Sequence, residues 1–222
     1  MNAARTIRID RVHHPVTALG PGRRLGIWVQ GCPLACSGCM SRHTWDPAGG
    51  RLVDLDEIVE LWRTVLADGA DGVTVSGGEP LAQAATGELL CALADVRATV
   101  RPTADILLYT GYSERVARRR GPDAVAAADA MITGRYRSDR PTTLIWRGSA
   151  NQRLVPLSPL GATRYAPYLQ HVPERPPMQV GRAGADLWII GVPRAGDLDR
   201  LGRASRLAGV TSAGASWTAG PR

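Results

Sequence analysis

Three of the four cysteines in this chain fall within eight residues, in a stretch (31–45) that reads GCPLACSGCMSRHTW. Cys32, Cys36 and Cys39 follow the spacing C-x3-C-x2-C, and the residues between them are small or turn-forming: Pro33, Ala35, Ser37 and Gly38. Such a segment suits neither a helix nor a strand. It suits a loop that wraps one inorganic centre. Thiolates prefer soft metals, above all iron–sulfur clusters and zinc. The count of three carries information of its own, because a cubane held by three cysteines keeps one iron free for another ligand.

Other chemistries compete for this spacing. A disulfide pair with a spare thiol is one, but no signal-peptide pattern precedes the cysteines, and clustered cysteines outside an oxidising compartment more often bind metal. Zinc is the stronger rival, since His43 would complete a Cys3His set. Cys91 is a poor fourth ligand: it lies in the apolar run LLCALADV and reads as a core thiol.

A second motif bears on the choice. Residues 72–80 read GVTVSGGEP, a short β-branched strand running into two glycines, a carboxylate and a proline. Paired glycines at the C-terminal end of a strand let a ligand approach the backbone closely, and Glu79 would pair with an ammonium group. A plain β-turn would explain the glycines but not their company with a thiol loop.

With both motifs in hand, the chain resembles the radical S-adenosylmethionine (SAM) enzymes. Within them it resembles the small activases of glycyl-radical enzymes, of the anaerobic ribonucleotide reductase type. Four segments carry the likeness: GPGRR (20–24), GCPLACSGCMSRHTWD (31–46), SGGEP (76–80) and ITGRYRSDRPTTLIWRGSANQR (132–153), with LLYTGY (107–112) in support. The cysteine motif is specific for the superfamily, and the last tract points to the activase. Together they span about residues 7–155. A Gly before the third cysteine, here Gly38, fits the reductase activases, whereas Met40 departs from the polar or aromatic residue often found there.

The rest of the chain agrees with an α/β fold. An amphipathic stretch (Ile7, Ile9, Val12) and a Gly20-Pro21-Gly22 turn precede a strand over 25–29 that delivers the chain to the cysteines. A helix is predicted over 54–68, with Asp54 as cap, Glu57 three residues on and Leu55, Ile58, Val59, Trp62, Val65 and Leu66 on one face. Helices over 86–96, 113–120 and 123–128 alternate with strands over 105–109 and 130–133. This alternation argues for βα units around a parallel sheet. The resemblance implies a partial (β/α)6 barrel, with ligands at the C-terminal ends of the strands. We divide the chain into a core at 1–155 and a Pro-rich linker plus extension at 156–222. The extension reads as a hairpin over 178–192 around Gly181 and Gly184, a final helix capped by Asp197 to about Leu207, and a frayed tail from Ser212. It would cover the open side of the barrel or meet a partner.

Composition adds little. Lysine is absent, so all 27 basic residues are arginine, and the formal charge is +7. The arginines are scattered, no nucleic-acid-binding motif accompanies them, and Arg118–Arg119–Arg120 reads as a solvated helix face. His13 and His14 read as solvent-facing. No apolar run reaches membrane-spanning length. The expectation is a soluble, cytoplasmic protein.

By resemblance, Cys32, Cys36 and Cys39 ligate a [4Fe–4S] cluster whose free iron is chelated by the amino and carboxylate groups of SAM. Gly38 and Met40 flank the third cysteine where family members contact SAM. Gly77, Gly78 and Glu79 would hold its methionine end, with Thr110 and Gly111 as weaker contacts. Arg147 and Asn151 are candidates for the SAM site or a partner interface. The implied reaction is reductive cleavage of SAM and hydrogen abstraction from a glycine of a partner glycyl-radical enzyme, with a flavodoxin- or ferredoxin-type electron donor. The alternatives are a radical SAM enzyme acting directly on a small molecule or peptide and, remotely, a zinc-bound structural module.

Overall fold

In the computed structural model, residues 5–183 and 186–209 are described, with side chains at 182–186 left aside. The parallel strands are short apolar runs, and each is buried on both faces, as expected of a sheet covered on both sides. Strands β1 (Thr6–Val16), β2 (Arg24–Val29), β3 (Arg51–Asp54), β4 (Gly72–Gly77), β5 (Asp105–Thr110), β6 (Ala130–Thr133) and β7 (Arg153–Pro156) form one sheet in the order β3-β1-β2-β4-β5-β6-β7. Strands β2, β4, β5 and β6 run parallel, while β1, β3 and β7 pair antiparallel.

The sheet is therefore mixed and open. Its parallel part has four strands where a (β/α)6 unit has six, because β1 and β7 reach their neighbours without a crossover helix. Helix α1 (Leu55–Ala67) starts at Asp54, whose side chain accepts a hydrogen bond from the Asp56 N–H. Helix α2 (Ala85–Val100) extends beyond the predicted 86–96 at both ends. Together with α3 (Glu114–Arg120) and α4 (Pro122–Ala127), these helices cover one face of the sheet. There Leu25, Ile27, Val73, Val75, Ile106 and Leu108 pack against Trp62, Leu66, Leu89 and Leu93.

The opposite face carries two smaller clusters. Leu107, Ala130 and Ile132 meet Trp146 and Tyr165, while Val16 and Leu19 meet Ile190. The residues covering this face come largely from the C-terminal third of the chain. Helix α5 (Pro159–Tyr165) interrupts what reads as a Pro-rich linker. Its start is Ser158 accepting from the Gly161 N–H, with Pro159 in the first turn, the usual grammar of a helix N-terminus. The hairpin of β8 (Met178–Ala183) and β9 (Asp186–Gly191) follows, its turn lying outside the described residues, and then α6 (Asp197–Leu207). Asp197 is in the first turn of α6 rather than at its cap, which is Gly196. The expected frayed tail from Ser212 also lies outside the described residues.

The hairpin seats on β1 through particular contacts. Gln179 donates to the Pro15 carbonyl at 2.7 Å and accepts from the Thr17 N–H at 3.0 Å. The Trp188 indole has the Arg11 guanidinium 4.2 Å above it and His13 edge-on at 5.5 Å. His13 and His14 are thus half-buried, not solvent-facing, and burial lowers both pKa values.

At the N-terminal end of the parallel strands, Arg24 and Asp105 are both fully buried. The guanidinium donates to both Asp105 carboxylate oxygens at 2.8 Å and to Thr74 Oγ1 at 2.7 Å. Tyr165 adds its hydroxyl, and Arg164 lies 2.8 Å away. Burial alone would raise the Asp105 pKa, but the Arg24 charge and hydrogen bonds bring it below the usual value. This knot ties β2, β4, β5 and α5 together beneath the sheet. Among the described residues no helix is long and apolar enough to cross a membrane.

Candidate iron–sulfur site

Four loops leave the C-terminal ends of the parallel strands, and all four meet. After β2 comes the cysteine loop, after β4 the Gly77-Gly78-Glu79 turn, after β5 Thr110-Gly111, and after β6 the tract from Gly134. This is the edge at which open α/β sheets collect ligands.

The cysteine loop is held at both ends by backbone. The N–H groups of Gly31 and Cys32 donate to the carbonyls of Thr44 and Trp45 at 2.8 and 3.1 Å. Within the loop, the Cys39 N–H donates to the Cys36 carbonyl at 3.1 Å, and Ala35 and Gly38 adopt positive φ. All three thiols are free, Cys36 buried and the other two half-buried. Burial pushes the thiols of Cys32 and Cys39 up, opposed by N–H donors: Leu34 and Ala35 to Cys32, Ser41 and the Trp45 indole to Cys39. Such donors stabilise sulfur in its anionic, ligating form.

The two glycines after β4 are what let this loop sit here. A Cβ on Gly78 would lie 2.3 Å from the Gly31 carbonyl oxygen, and one on Gly77, at φ +104°, would lie 2.5 Å from Val29 backbone atoms. The turn is stitched to the loop by Gly78 N–H to Val29 and Glu79 N–H to Gly31, at 2.8 and 2.9 Å. Gly111 performs the same service for the β5 loop, its missing Cβ leaving room for Leu34.

Glu79 does not point outward as a free partner for an ammonium group. It is 1% exposed, and its carboxylate accepts from Thr110 Oγ1 at 2.8 Å, the Leu81 N–H at 3.0 Å and the Gly111 N–H at 2.7 Å. Burial raises its pKa against these donors. Its visible work is to brace the β4 loop against the β5 loop.

Arg147 and Asn151 are both held by backbone carbonyls. Arg147 is buried and donates to the carbonyls of Tyr168 and Leu169 at 2.9 and 3.0 Å, so it pins the segment after α5 rather than facing the thiols. Asn151 donates to the Arg135 carbonyl at 2.8 Å and so shapes the loop after β6. In that loop, Arg135 donates to the Leu34 carbonyl, and Tyr136 and Ser138 lie against Gly38. Gln30 clamps the far end of the cysteine loop through the carbonyls of His43 and Asp46, at 3.1 and 2.7 Å. Gln30, Leu34, Trp45, Arg135 and Tyr136 are contacts that sequence reasoning missed. All but Gln30 lie inside quoted motifs, but nothing in the spacing says which side chains turn toward the thiols.

The donor set distinguishes the two metal readings. His43 is exposed and pairs with Asp10 at 3.5 Å, so it is engaged away from a Cys3His set. Cys91 is exposed on α2, not a core thiol, and lies outside the site. Three free thiols on one clamped loop with N–H donors fit an iron–sulfur cluster.

Fold and loop together define a single-cluster iron–sulfur domain on an α/β scaffold. A profile described as "4Fe-4S single cluster domain" matches residues 18–155. The chain is 34% identical over 145 residues to the anaerobic ribonucleoside-triphosphate reductase-activating protein of Enterobacteria phage T4, covering 65% of this chain and 91% of that one. It is 31% identical over 146 residues to the protein of that name from Escherichia coli K12, and 30% over 148 residues to that from Salmonella typhimurium LT2. Each match covers 63% of this chain and 93% of the other. The chain belongs to this 4Fe–4S family of reductase-activating proteins. Residues 156–222 lie beyond the profile match.

Proposed function

We propose that this protein is a radical SAM activase that generates the glycyl radical of an anaerobic ribonucleotide reductase. The observation that carries the reading is the three-thiol loop clamped by the loops after β4, β5 and β6, in a chain of this family. Cys32, Cys36 and Cys39 would ligate a [4Fe–4S] cluster. Gly38 and Met40 beside the third cysteine, the exposed edges of Gly77 and Gly78, and Thr110 and Gly111 would line the SAM site. A cluster and SAM held there would supply one electron and, with methionine as the other product, a 5′-deoxyadenosyl radical able to take a hydrogen atom from a partner glycine.

The chain's own residues do the holding. Gly77, Gly78 and Gly111 keep backbone close around the thiols, Glu79 ties two loops into one wall, and Arg135 and Tyr136 close over the cysteine loop. The open sheet serves as the partial barrel of such enzymes, residues 1–155 as its core and 156–222 as an added substructure. A cytoplasmic setting and a flavodoxin- or ferredoxin-type donor complete the proposal.

The test is electron paramagnetic resonance of anaerobically reconstituted, reduced protein mixed with SAM and an anaerobic ribonucleotide reductase. A glycyl-radical doublet is expected, lost in each of Cys32→Ala, Cys36→Ala and Cys39→Ala and retained in Cys91→Ser. 5′-Deoxyadenosine formed without a glycyl radical would reject this partner while keeping the radical chemistry.

A further inference from the structure

The chain's positive charge is not spread evenly over the folded surface. Sequence alone reads the run ending α3 as a solvated helix face. The structure joins it, through Tyr112 and Gly134, to a second basic segment that lies against the cysteine loop. Helix α3 carries Arg115, Arg118, Arg119 and Arg120 against Glu114, and the loop after β6 carries Arg135, Arg137 and Arg140 against Asp139. All seven arginines are exposed. Their surplus of five over two carboxylates accounts for most of the chain's formal +7.

Contacts make the two segments one crescent. The Arg120 guanidinium lies 4.7 Å over the Tyr112 ring, and the Tyr112 carbonyl accepts from the Gly134 N–H at 2.9 Å. Arg135 next to it donates to the carbonyl of Leu34, between the first two cysteines, and Ser138 sits against Gly38 beside the third. Arg118 and Arg137 pair with Glu114 and Asp139 at 3.0 and 2.8 Å, and the charges of Arg120 and Arg140 act on Glu79 and Asp139. Among the described residues, Arg115 and Arg119 have no hydrogen-bonded or ion-paired side-chain partner. Like charges gathered in excess of their counter-ions cost folding energy, and they raise the local concentration of an oppositely charged partner.

We propose that this crescent is the docking surface for an acidic one-electron donor protein that reduces the cluster held by Cys32, Cys36 and Cys39. The proposal rests on the cluster reading above and adds the donor's place and its charge. A partner glycine must insert its backbone into the site, which calls for shape and apolar contact. An electron needs only close approach to the outside of the thiol loop, and Arg135, within the crescent, touches that outside at Leu34. In the step, the donor's reduced flavin loses one electron and the cluster gains it. No atom is transferred.

The probe is a flavodoxin of net negative charge. Its binding to the apoprotein is measured between about 20 and 300 mM salt, a range over which the screening length shortens severalfold. Its reduction of the reconstituted protein is followed in parallel, with dithionite as the small-molecule reductant. The variant is Arg115→Glu/Arg119→Glu/Arg140→Glu. Arg203→Glu/Arg206→Glu on α6 is the control with charge reversed elsewhere. The first should slow association by about tenfold or more at low salt and flatten the salt dependence, with dithionite reduction unchanged. The control should bind as the parent does. Equal binding by parent and crescent variant, or equal weakening by both variants, would overturn the proposal. So would loss of binding to the reductase with flavodoxin binding intact. Failure of dithionite to reduce the parent would count against the cluster reading instead, and the apoprotein binding measurement would still decide the surface.

Discussion

Gly78→Ala probes the joint on which the site depends. The added Cβ would lie 2.3 Å from the Gly31 carbonyl oxygen and 3.0 Å from that of Thr44. The first distance is roughly 1 Å short of van der Waals contact, and both atoms are backbone, so no side-chain rotation relieves it. The β4 turn and the cysteine loop must move apart. That movement weakens the 2.9 Å hydrogen bond from the Glu79 N–H to Gly31 and strains the 2.8 Å bond from the Gly31 N–H to Thr44. Overpacking of this kind costs about 1–3 kcal/mol, and one weakened hydrogen bond adds about 1 kcal/mol. For a chain of this size, a loss of 2–4 kcal/mol lowers the melting temperature by roughly 5–15 °C. The assay is thermal melting of the apoprotein by circular dichroism, with iron and sulfide counted after reconstitution. Gly87→Ala is the internal comparison. Gly87 lies within α2, its Cβ would meet nothing closer than 3.4 Å, and the change should be neutral or stabilising by up to about 1 kcal/mol. A Gly78→Ala protein that melts with the parent and takes up a full complement of iron would refute the idea that the paired glycines serve the approach of the two loops.

Asp105→Asn leaves the Arg24 charge buried and unpaired and should cost about 3–5 kcal/mol in denaturant unfolding. Because the folded Asp105 pKa is lowered, its contribution is present above the unfolded value near 4 and is lost as pH falls below it, so the penalty should shrink in acid. Thr110→Val removes one donor from Glu79 and should cost about 1–3 kcal/mol. Burial raises the Glu79 pKa, and the Thr110 hydroxyl opposes that by favouring the ionised form. The Thr110→Val penalty should therefore be larger at pH 7.5 than at pH 5, as compared by unfolding at the two values. A penalty independent of pH would mean that the Thr110 hydroxyl does not serve the carboxylate.

Much of this architecture is legible before any coordinates. The apolar spacing of Leu55, Ile58, Trp62 and Val65 and the Asp54 cap specify α1 within a residue at each end. Short apolar runs ending in turn residues specify β4, β5 and β6. These are local signals, written in periodicity and caps, and local chemistry satisfies them. The two glycines after Ser76 read as room for a ligand, whereas the structure brings the Gly31 carbonyl there. Helix α5 was hidden by the prolines around it, since Ser-Pro can open a helix as readily as a linker.

The sequence by itself determined that three thiols share one loop, that a glycine turn follows a later strand, and that strands and helices alternate. Only the tertiary structure decided how those pieces serve one another. Glu79 turned inward to Thr110 and Gly111, Arg147 went to the carbonyls after α5, and Cys91 faced solvent. The arginines of α3 came to lie beside those of the loop after β6. The reason is physical: a buried polar side chain takes whichever partner the packed backbone brings within hydrogen-bond reach, and that partner is separated from it by tens of residues of chain.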